Sequence, residues 1–172
     1  ANLNEIPNLE IEIGENDFKA QGIAEELQIQ LEQHLGIQLK INIVPEKYKL
    51  EKTKYARSEL AISYIISEYE SPEGFLNIFY GEGVTENLDI PSYPNTTRFK
   101  NKSFDKMMNR GRRSENYENA NRSFVSAERL LMEEVPIAVL WYEEVNRLVN
   151  SKVQGFPLNK LLYVDFSEVY LN

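Results

Sequence analysis

The sequence predicts an α/β fold, in which strands and helices alternate along the chain. Apolar and polar residues alternate over 9–13 and over 37–44, as they do in strands with one buried face. Between these segments, apolar residues recur every four positions over 18–35, which is typical of a helix with one buried face. The apolar run over 59–66 is rich in β-branched residues, and we expect it to form a central strand buried on both faces.

Residues at the ends of these segments support the assignment. Asp17 stands where an N-cap carboxylate would accept a hydrogen bond from the first turn of the helix. Gly36 follows the helix, at a position that favours glycine. Pro45 ends the second strand, and the Lys- and Tyr-rich residues 46–57 are expected to be helical. The triplet Ser-Pro-Glu at 71–73 opens another helix with a capping serine, a proline and an acid.

The second half of the chain continues the alternation. Residues 81–102 are rich in Gly, Pro, Thr and Asn and predict a long loop. Ser103 is expected to cap a short helix over 104–111. A spacing of three and four between apolar residues predicts the longest helix over 115–135. The apolar run over 136–142 begins with a proline, and we interpret it as a further strand.

Composition argues against several kinds of function. The net charge of −8 disfavours nucleic acid as a partner, because phosphate binding needs a basic surface. The chain contains no cysteine, which excludes thiolate nucleophiles and Cys-based metal sites. The single histidine, His34, lies on the polar side of the first helix, which supplies no catalytic partner. We therefore expect no catalytic residue, no metal and no cofactor, and a protein that is not an enzyme.

One basic cluster occurs in the chain, at Lys106, Arg110, Arg112 and Arg113. It would suit an anion or a partner protein. The spacing favours a second interpretation, in which the cluster offsets the C-terminal carbonyl groups of the helix over 104–111.

The segment 67–76 joins a predicted strand to a predicted helix and carries two acids ahead of the helix. Loops at the carboxyl ends of central strands are common ligand sites in α/β proteins. Glu68 and Glu70 would be able to meet a ligand cation there. Both carboxylates would equally stabilise the N-terminus of the helix that follows Ser71. The residues alone support these two interpretations equally.

The order of several motifs resembles the oligopeptide- and dipeptide-binding family of bacterial extracytoplasmic solute-binding proteins, over about residues 9–172. The passages that carry the resemblance are Leu-Gly-Ile at 35–37, EYESPEGFL at 68–76, the Tyr- and Asn-rich stretch from Tyr93 to Asp105, the helix with Arg122, Ala127, Glu128 and Leu131, and the run 136–142. Each motif is short, but their order and spacing together are fairly specific.

The resemblance implies a periplasmic-binding-protein-like lobe, with a mixed sheet flanked by helices. It covers only the C-terminal part of the family members, which are much longer and close two lobes over a ligand. Residues 1–143 are then expected to form most of the C-terminal ligand-binding lobe. Residues 144–172 are expected to return toward an N-terminal lobe that lies outside this sequence.

The resemblance also implies a ligand site. In oligopeptide-binding members the acid of the signature holds the α-ammonium group of the peptide, and Glu68 occupies that position. The residues at the preceding strand end would lie along the peptide backbone. The implied ligand-binding residues are Tyr64, Ile65, Ile66, Ser67, Glu68 and Tyr69. The chain departs from the family pattern at Ile65, which replaces a tryptophan, at Glu68, which replaces an aspartate, and at 70–72, where Glu-Ser-Pro replaces Pro-Asp-Pro.

The implied function is the capture of a peptide or a similar small zwitterionic solute for an ABC importer. The partners would be that solute and the membrane permease of the transporter, with no nucleic acid bound by this part of the protein. The location would be periplasmic or cell-surface, with a lipid anchor on an N-terminal region outside this sequence as the link to the membrane. The alternative is a ligand-sensing domain of a transcription regulator, which would carry a helix-turn-helix ahead of residue 1.

Overall fold

The computed structural model of the protein describes residues 9–144, 146–156 and 165–172. Its helices and strands in chain order are β1 (Leu9–Gly14), α1 (Phe18–Leu35), β2 (Leu39–Val44), α2 (Glu46–Lys54), β3 (Leu60–Ala61), α3 (Pro72–Leu76), a short 3-10 helix (Asn77–Phe79), α4 (Lys102–Arg112), α5 (Tyr117–Glu134), β4 (Val153–Gln154) and β5 (Tyr170–Leu171). The first compact unit contains the described residues of Ala1–Tyr64 and Ile78–Lys102, and the second unit those of Ile65–Asn77 and Ser103–Asn172.

The first unit contains a three-stranded parallel sheet in the order β2-β1-β3. β1 is the central strand, and Ile11 pairs with Ile41 on one side and with Leu60 on the other. Helix α1 packs against one face of this sheet. The buried core there consists of Ile11, Ile13, Ala20, Ala24, Leu39 and Ile62. The alternating patterns of the first two strands and the helix between them are therefore confirmed.

The ends of α1 form as the sequence predicts. The Asp17 carboxylate accepts a hydrogen bond of 2.9 Å from the amide of Ala20. Gly36 adopts a left-handed conformation with φ 67°, and its amide donates to Glu32 O at 3.0 Å. Both caps satisfy backbone groups that a helix leaves unpaired at its termini.

The polar side of β1 is less exposed than an alternating pattern indicates. Glu12 is only 1% exposed, and its carboxylate accepts a hydrogen bond from the Lys52 ammonium group of α2. The neighbouring acid, Glu10, binds Lys40 at 2.7 Å and Asn42 at 2.9 Å across the sheet. A charged pair is therefore enclosed between β1 and α2, on the face opposite α1.

The Glu12–Lys52 pair predicts a specific alkaline dependence of stability. The hydrogen bond from Lys52 to Glu12 raises the pKa of Lys52 above its ordinary value. The contribution of the pair to the free energy of unfolding is thus fully present below pH ~10.4 and lost as the pH rises through the higher pKa of the folded state. Urea denaturation between pH ~8 and ~11.5 should show wild type losing stability relative to Lys52→Arg, whose guanidinium stays charged. Parallel pH profiles of the two proteins would contradict this assignment.

The prediction of a central strand over 59–66, buried on both faces, is wrong. β3 covers only Leu60–Ala61 and lies at an edge of the three-stranded sheet. Leu60 is 38% exposed, and within 59–66 only Ile62 is buried. A central strand needs a hydrogen-bonding partner on each side. In the described part of the chain only β1 supplies one.

Three helices build the second unit. The side chains of Phe104, Met108, Phe124 and Leu131, from α4 and α5, are buried. A Cβ atom at Gly111 would lie 2.4 Å from the Phe124 ring, so the absent side chain lets α4 and α5 approach closely. α4 begins at Lys102, slightly before the expected Ser103 cap, and α5 matches the helix predicted over 115–135.

The strand predicted over 136–142 does not form. This segment has no regular structure, and the side chains of Val139, Leu140 and Tyr142 are between about half and four-fifths exposed. An apolar run becomes a strand only when a second strand offers a ladder, and the described residues supply none there. Near the end of the chain, β4 and β5 do pair in antiparallel fashion, with Val153 opposite Leu171.

The predicted loop over 81–102 is confirmed and is held by two side chains. Arg98 adopts a left-handed conformation with φ 53°. Its guanidinium group donates to four backbone carbonyl oxygens, those of Thr85 at 2.7 Å, Ile90 at 2.6 Å, Lys54 at 3.2 Å and Asn87 at 3.4 Å. Arg98 thereby fixes the loop to the last turn of α2.

The second of these side chains is Asn95, which is 4% exposed. Its amide nitrogen donates to Tyr80 O at 3.1 Å and to Phe99 O at 2.9 Å. Its amide oxygen accepts from Phe99 N at 3.1 Å and from the Thr97 hydroxyl at 2.9 Å. The side chain thus bridges both ends of the loop.

Among the described residues, no helix is long and apolar enough to cross a lipid bilayer.

Candidate functional site

A compact turn precedes α3 and carries the acid that the sequence singles out. Ser67 is 2% exposed, and its hydroxyl donates to Tyr69 O at 2.5 Å. The amide of Ser71 also donates to Tyr69 O, at 2.8 Å. These two bonds close the chain around the Tyr69 carbonyl. Glu68 is exposed, as are Tyr69 and Glu70, and it makes no hydrogen bond or ion pair to any described residue.

Helix α3 begins directly after this turn. The Ser71 hydroxyl accepts a hydrogen bond of 3.2 Å from the amide of Glu73, and Pro72 occupies the first turn. Glu73 is the first-turn acid of this helix. The sequence predicted this acid, together with Ser71 and Pro72, at the start of the helix.

Helix α4 contacts α3 through Arg112. Its Nε atom lies 2.7 Å from Glu73 Oε1, and its guanidinium group also donates to Asn77 Oδ1. Burial and the neighbouring Glu73 raise the pKa of the Tyr69 hydroxyl above its ordinary value. The sequence placed Arg112 in a cluster that offsets helix carbonyls. Its bond to Glu73 spans 39 residues, and spacing along one helix gives no signal for such a contact.

Gly74 lies against the back of the same turn. A Cβ atom at this position would lie 2.0 Å from Ser67 Oγ and 3.1 Å from Ser67 Cβ. Unbonded atoms in a folded protein do not approach as closely as the first of these separations, and the second is a tight contact. The glycine is therefore required for Ser67 to occupy its observed place.

The structure divides the predicted ligand-binding residues between the two units. Tyr64 belongs to the first unit, where its hydroxyl donates to Asp17 Oδ1 at 3.1 Å. Ile65, Ile66, Ser67, Glu68 and Tyr69 belong to the second unit. Of these, Ile66 is 71% exposed and Ser67 is buried, so the Ser67 side chain acts within the turn rather than at its surface.

No cluster of potential metal ligands is present among the described residues. They contain no group of three or more His, Asp or Glu side chains that would hold a metal ion. His34 is exposed in the last turn of α1.

Comparison with known proteins bears on the fold. No family model matches the chain. The chain is 23% identical over 126 residues to the periplasmic murein peptide-binding protein MppA of Escherichia coli K12, a match that covers 73% of this chain and 22% of the relative. It is 24% identical over 143 residues to the dipeptide-binding protein DppE of Bacillus subtilis 168, covering 83% of this chain and 25% of the relative. The chain is a homologue of these peptide-binding proteins.

Solved structures of such peptide-binding proteins have the same fold. The Escherichia coli murein tripeptide binding protein MppA matches 98% of this chain with a TM-score of 0.79 at 20% identity. Haemophilus influenzae OppA, solved in complex with the peptide RPPGFSPFR, matches 98% of it with a TM-score of 0.78 at 17% identity. The periplasmic-binding-protein-like fold and the resemblance to the oligopeptide- and dipeptide-binding family are thus confirmed. The chain spans about a quarter of the length of the curated relatives it matches.

Proposed function

We propose that this chain is part of the substrate-binding component of an ABC importer, which binds a peptide or a similar small zwitterionic solute in a cleft between two lobes. The relatives are peptide-binding proteins, and one matching structure is that of a periplasmic oligopeptide-binding protein of an oligopeptide ABC transporter from Borrelia burgdorferi. In this proposal residues 1–143 belong to the C-terminal lobe, 144–172 return toward the other lobe, and the membrane permease is the partner. A periplasmic or cell-surface location and a lipid anchor belong to the same proposal.

The observation that carries the proposal is the exposed carboxylate of Glu68 at the tip of an internally bonded turn. Its environment leaves the charge available to a ligand, because the described residues offer it no cationic partner. The turn itself is held by Ser67 and by the start of α3. A carboxylate on a rigid support loses little conformational freedom when it binds, so more of the interaction energy appears as affinity.

The chemistry that such a site recognises is a primary ammonium group. An ionised carboxylate accepts short, charge-assisted hydrogen bonds from an ammonium group. In a closed cleft from which water is excluded, each bond of this kind contributes about 1.5–3 kcal/mol. Glu68 would thus hold the N-terminus of a peptide and set the register of the rest along the neighbouring backbone.

A substitution of Glu68 tests the proposal in the full-length protein that contains this chain. Glu68→Gln keeps the size of the side chain and removes its charge. We expect the affinity for a short peptide to fall by about tenfold or more, since ~1.4 kcal/mol corresponds to one decade. Titration calorimetry with a free peptide and its N-acetylated form checks the mechanism. Acetylation should weaken binding to wild type and leave binding to the variant nearly unchanged.

The matched control is Glu133→Gln, which removes an exposed carboxylate from α5 in the same unit. It should leave both affinities unchanged. Equal binding of free and acetylated peptides by wild type would rule out Glu68 as the ammonium anchor.

A further inference from the structure

The turn that carries Glu68 and the helix α3 after it contain two residues whose sizes are matched to each other, Ser67 and Gly74. Ser67 is buried with its hydroxyl bonded to Tyr69 O at 2.5 Å, and Tyr69 N lies 3.4 Å from the same hydroxyl. Gly74, in α3, faces this hydroxyl at a distance that leaves no room for a methyl group. The two residues are separated by seven positions, and the intervening segment contains Glu68.

Gly74 has no local reason to be glycine. It lies inside α3, where glycine is less favourable than alanine. No left-handed φ is found there, in contrast to Gly36, Gly83 and Gly155. The close approach of Ser67 is therefore the feature of the structure that accounts for a glycine at this position.

We propose that Ser67 and Gly74 act as a matched pair of positioning residues that place the Glu68 carboxylate for ligand binding. This inference rests on the proposed function. The serine hydroxyl donates a hydrogen bond to the Tyr69 carbonyl oxygen, and the absence of a side chain at Gly74 leaves the space that the serine side chain occupies. A methyl group at position 74 would force Ser67 to rotate away from Tyr69 O or to move its backbone. Either movement displaces the adjacent Glu68 relative to the ligand.

A double-mutant cycle in the full-length protein tests the pairing. Gly74→Ala should weaken the binding of a free peptide by about tenfold and should reduce the preference for free over N-acetylated peptide. Ser67→Ala removes the hydroxyl alone and should weaken binding by less. The double variant S67A/G74A should bind more tightly than G74A, because removal of the hydroxyl provides space for the new methyl group. The contact that remains, at 3.1 Å from Ser67 Cβ, makes this rescue partial.

Gly22→Ala is the matched control, because a Cβ atom there meets nothing within 4 Å and the residue also lies in a helix. It should leave both affinities unchanged. Far-UV circular dichroism of each variant verifies that the protein is folded, and the rescue in the double variant separates loss of position from loss of folding.

The possible results distinguish the two proposals. If wild type prefers the free peptide and E68Q abolishes that preference, Glu68 is the ammonium anchor. If, in the same experiment, G74A binds as tightly as wild type or S67A/G74A binds no more tightly than G74A, the positioning role of Ser67 and Gly74 is overturned. Wild-type indifference to acetylation would overturn both. Loss in G74A with rescue in the double variant supports the matched pair.

Discussion

Substitution of Lys52 by methionine should lower the free energy of unfolding by about 3–5 kcal/mol at neutral pH, one of the largest effects expected from any single change in this chain. Lys52 provides the ammonium group that binds the Glu12 carboxylate. Glu12 is 1% exposed, and its second oxygen has no hydrogen-bond partner among the described residues. The variant would leave an isolated carboxylate enclosed between β1 and α2. Urea denaturation followed by circular dichroism measures the loss.

Two comparisons decide whether the burial of Glu12 causes this loss. The double variant E12L/K52M removes both charges and should lie within about 1 kcal/mol of wild type, because an apolar pair of similar volume commonly replaces a buried ion pair without loss. Lys40→Met removes the partner of Glu10, which is a more exposed acid on the same strand. Its effect should stay below about 1 kcal/mol. An equal loss in all three variants would refute the explanation.

The second large effect is expected at Arg98, whose replacement by alanine should lower the free energy of unfolding by about 2–4 kcal/mol. Its guanidinium group donates to four backbone carbonyl oxygens of the loop and of α2. Without the side chain, these four carbonyl oxygens either accept hydrogen bonds from water or have no hydrogen-bond partner. Amide hydrogen exchange within 85–98 should accelerate, because these bonds hold the loop.

Glycine at the same position separates the side-chain contribution from the backbone contribution. Arg98 has φ 53°, a conformation that costs alanine free energy but glycine almost none. Arg98→Gly should therefore be no less stable than Arg98→Ala. Arg129→Ala, at an exposed site on α5, should change stability by less than about 0.5 kcal/mol. If the glycine variant recovers wild-type stability, the guanidinium bonds contribute nothing.

The helices that the sequence predicted correctly depend on interactions between near neighbours. α1 illustrates this, since its Asp17 cap, its apolar spacing and its terminal Gly36 all act within four residues along the chain. The same holds for the start of α3 at Ser71. Local hydrogen bonds and helical periodicity are properties of short segments, so the amino-acid sequence alone is sufficient to recognise them.

The incorrect predictions concern features that depend on distant parts of the chain. The runs over 59–66 and 136–142 have strand-like composition, but composition does not specify a hydrogen-bonding neighbour. Likewise, the alternating pattern places Glu12 on the exposed face of a half-buried strand. Glu12 is buried because α2 packs on that face and supplies Lys52 as its partner.

The candidate site shows the same division. The acid-bearing turn at Glu68 is visible in the sequence through its resemblance to a family signature. The contact between Ser67 and Gly74 and the bond from Arg112 to Glu73 depend on tertiary geometry. Periodicity and propensity carry no information about either contact, so the sequence predicts neither of them.

Asn95 has a practical consequence for the preparation of the protein. The triplet Asn-Thr-Thr at 95–97 is an acceptor sequence for N-linked glycans. The Asn95 amide nitrogen makes two hydrogen bonds inside the loop, so a glycan attached to it would prevent that loop from folding. We expect chains secreted by a eukaryotic host and recovered in folded form to be unmodified at Asn95, which peptide mass spectrometry would reveal. A bacterial host avoids this competition between modification and folding.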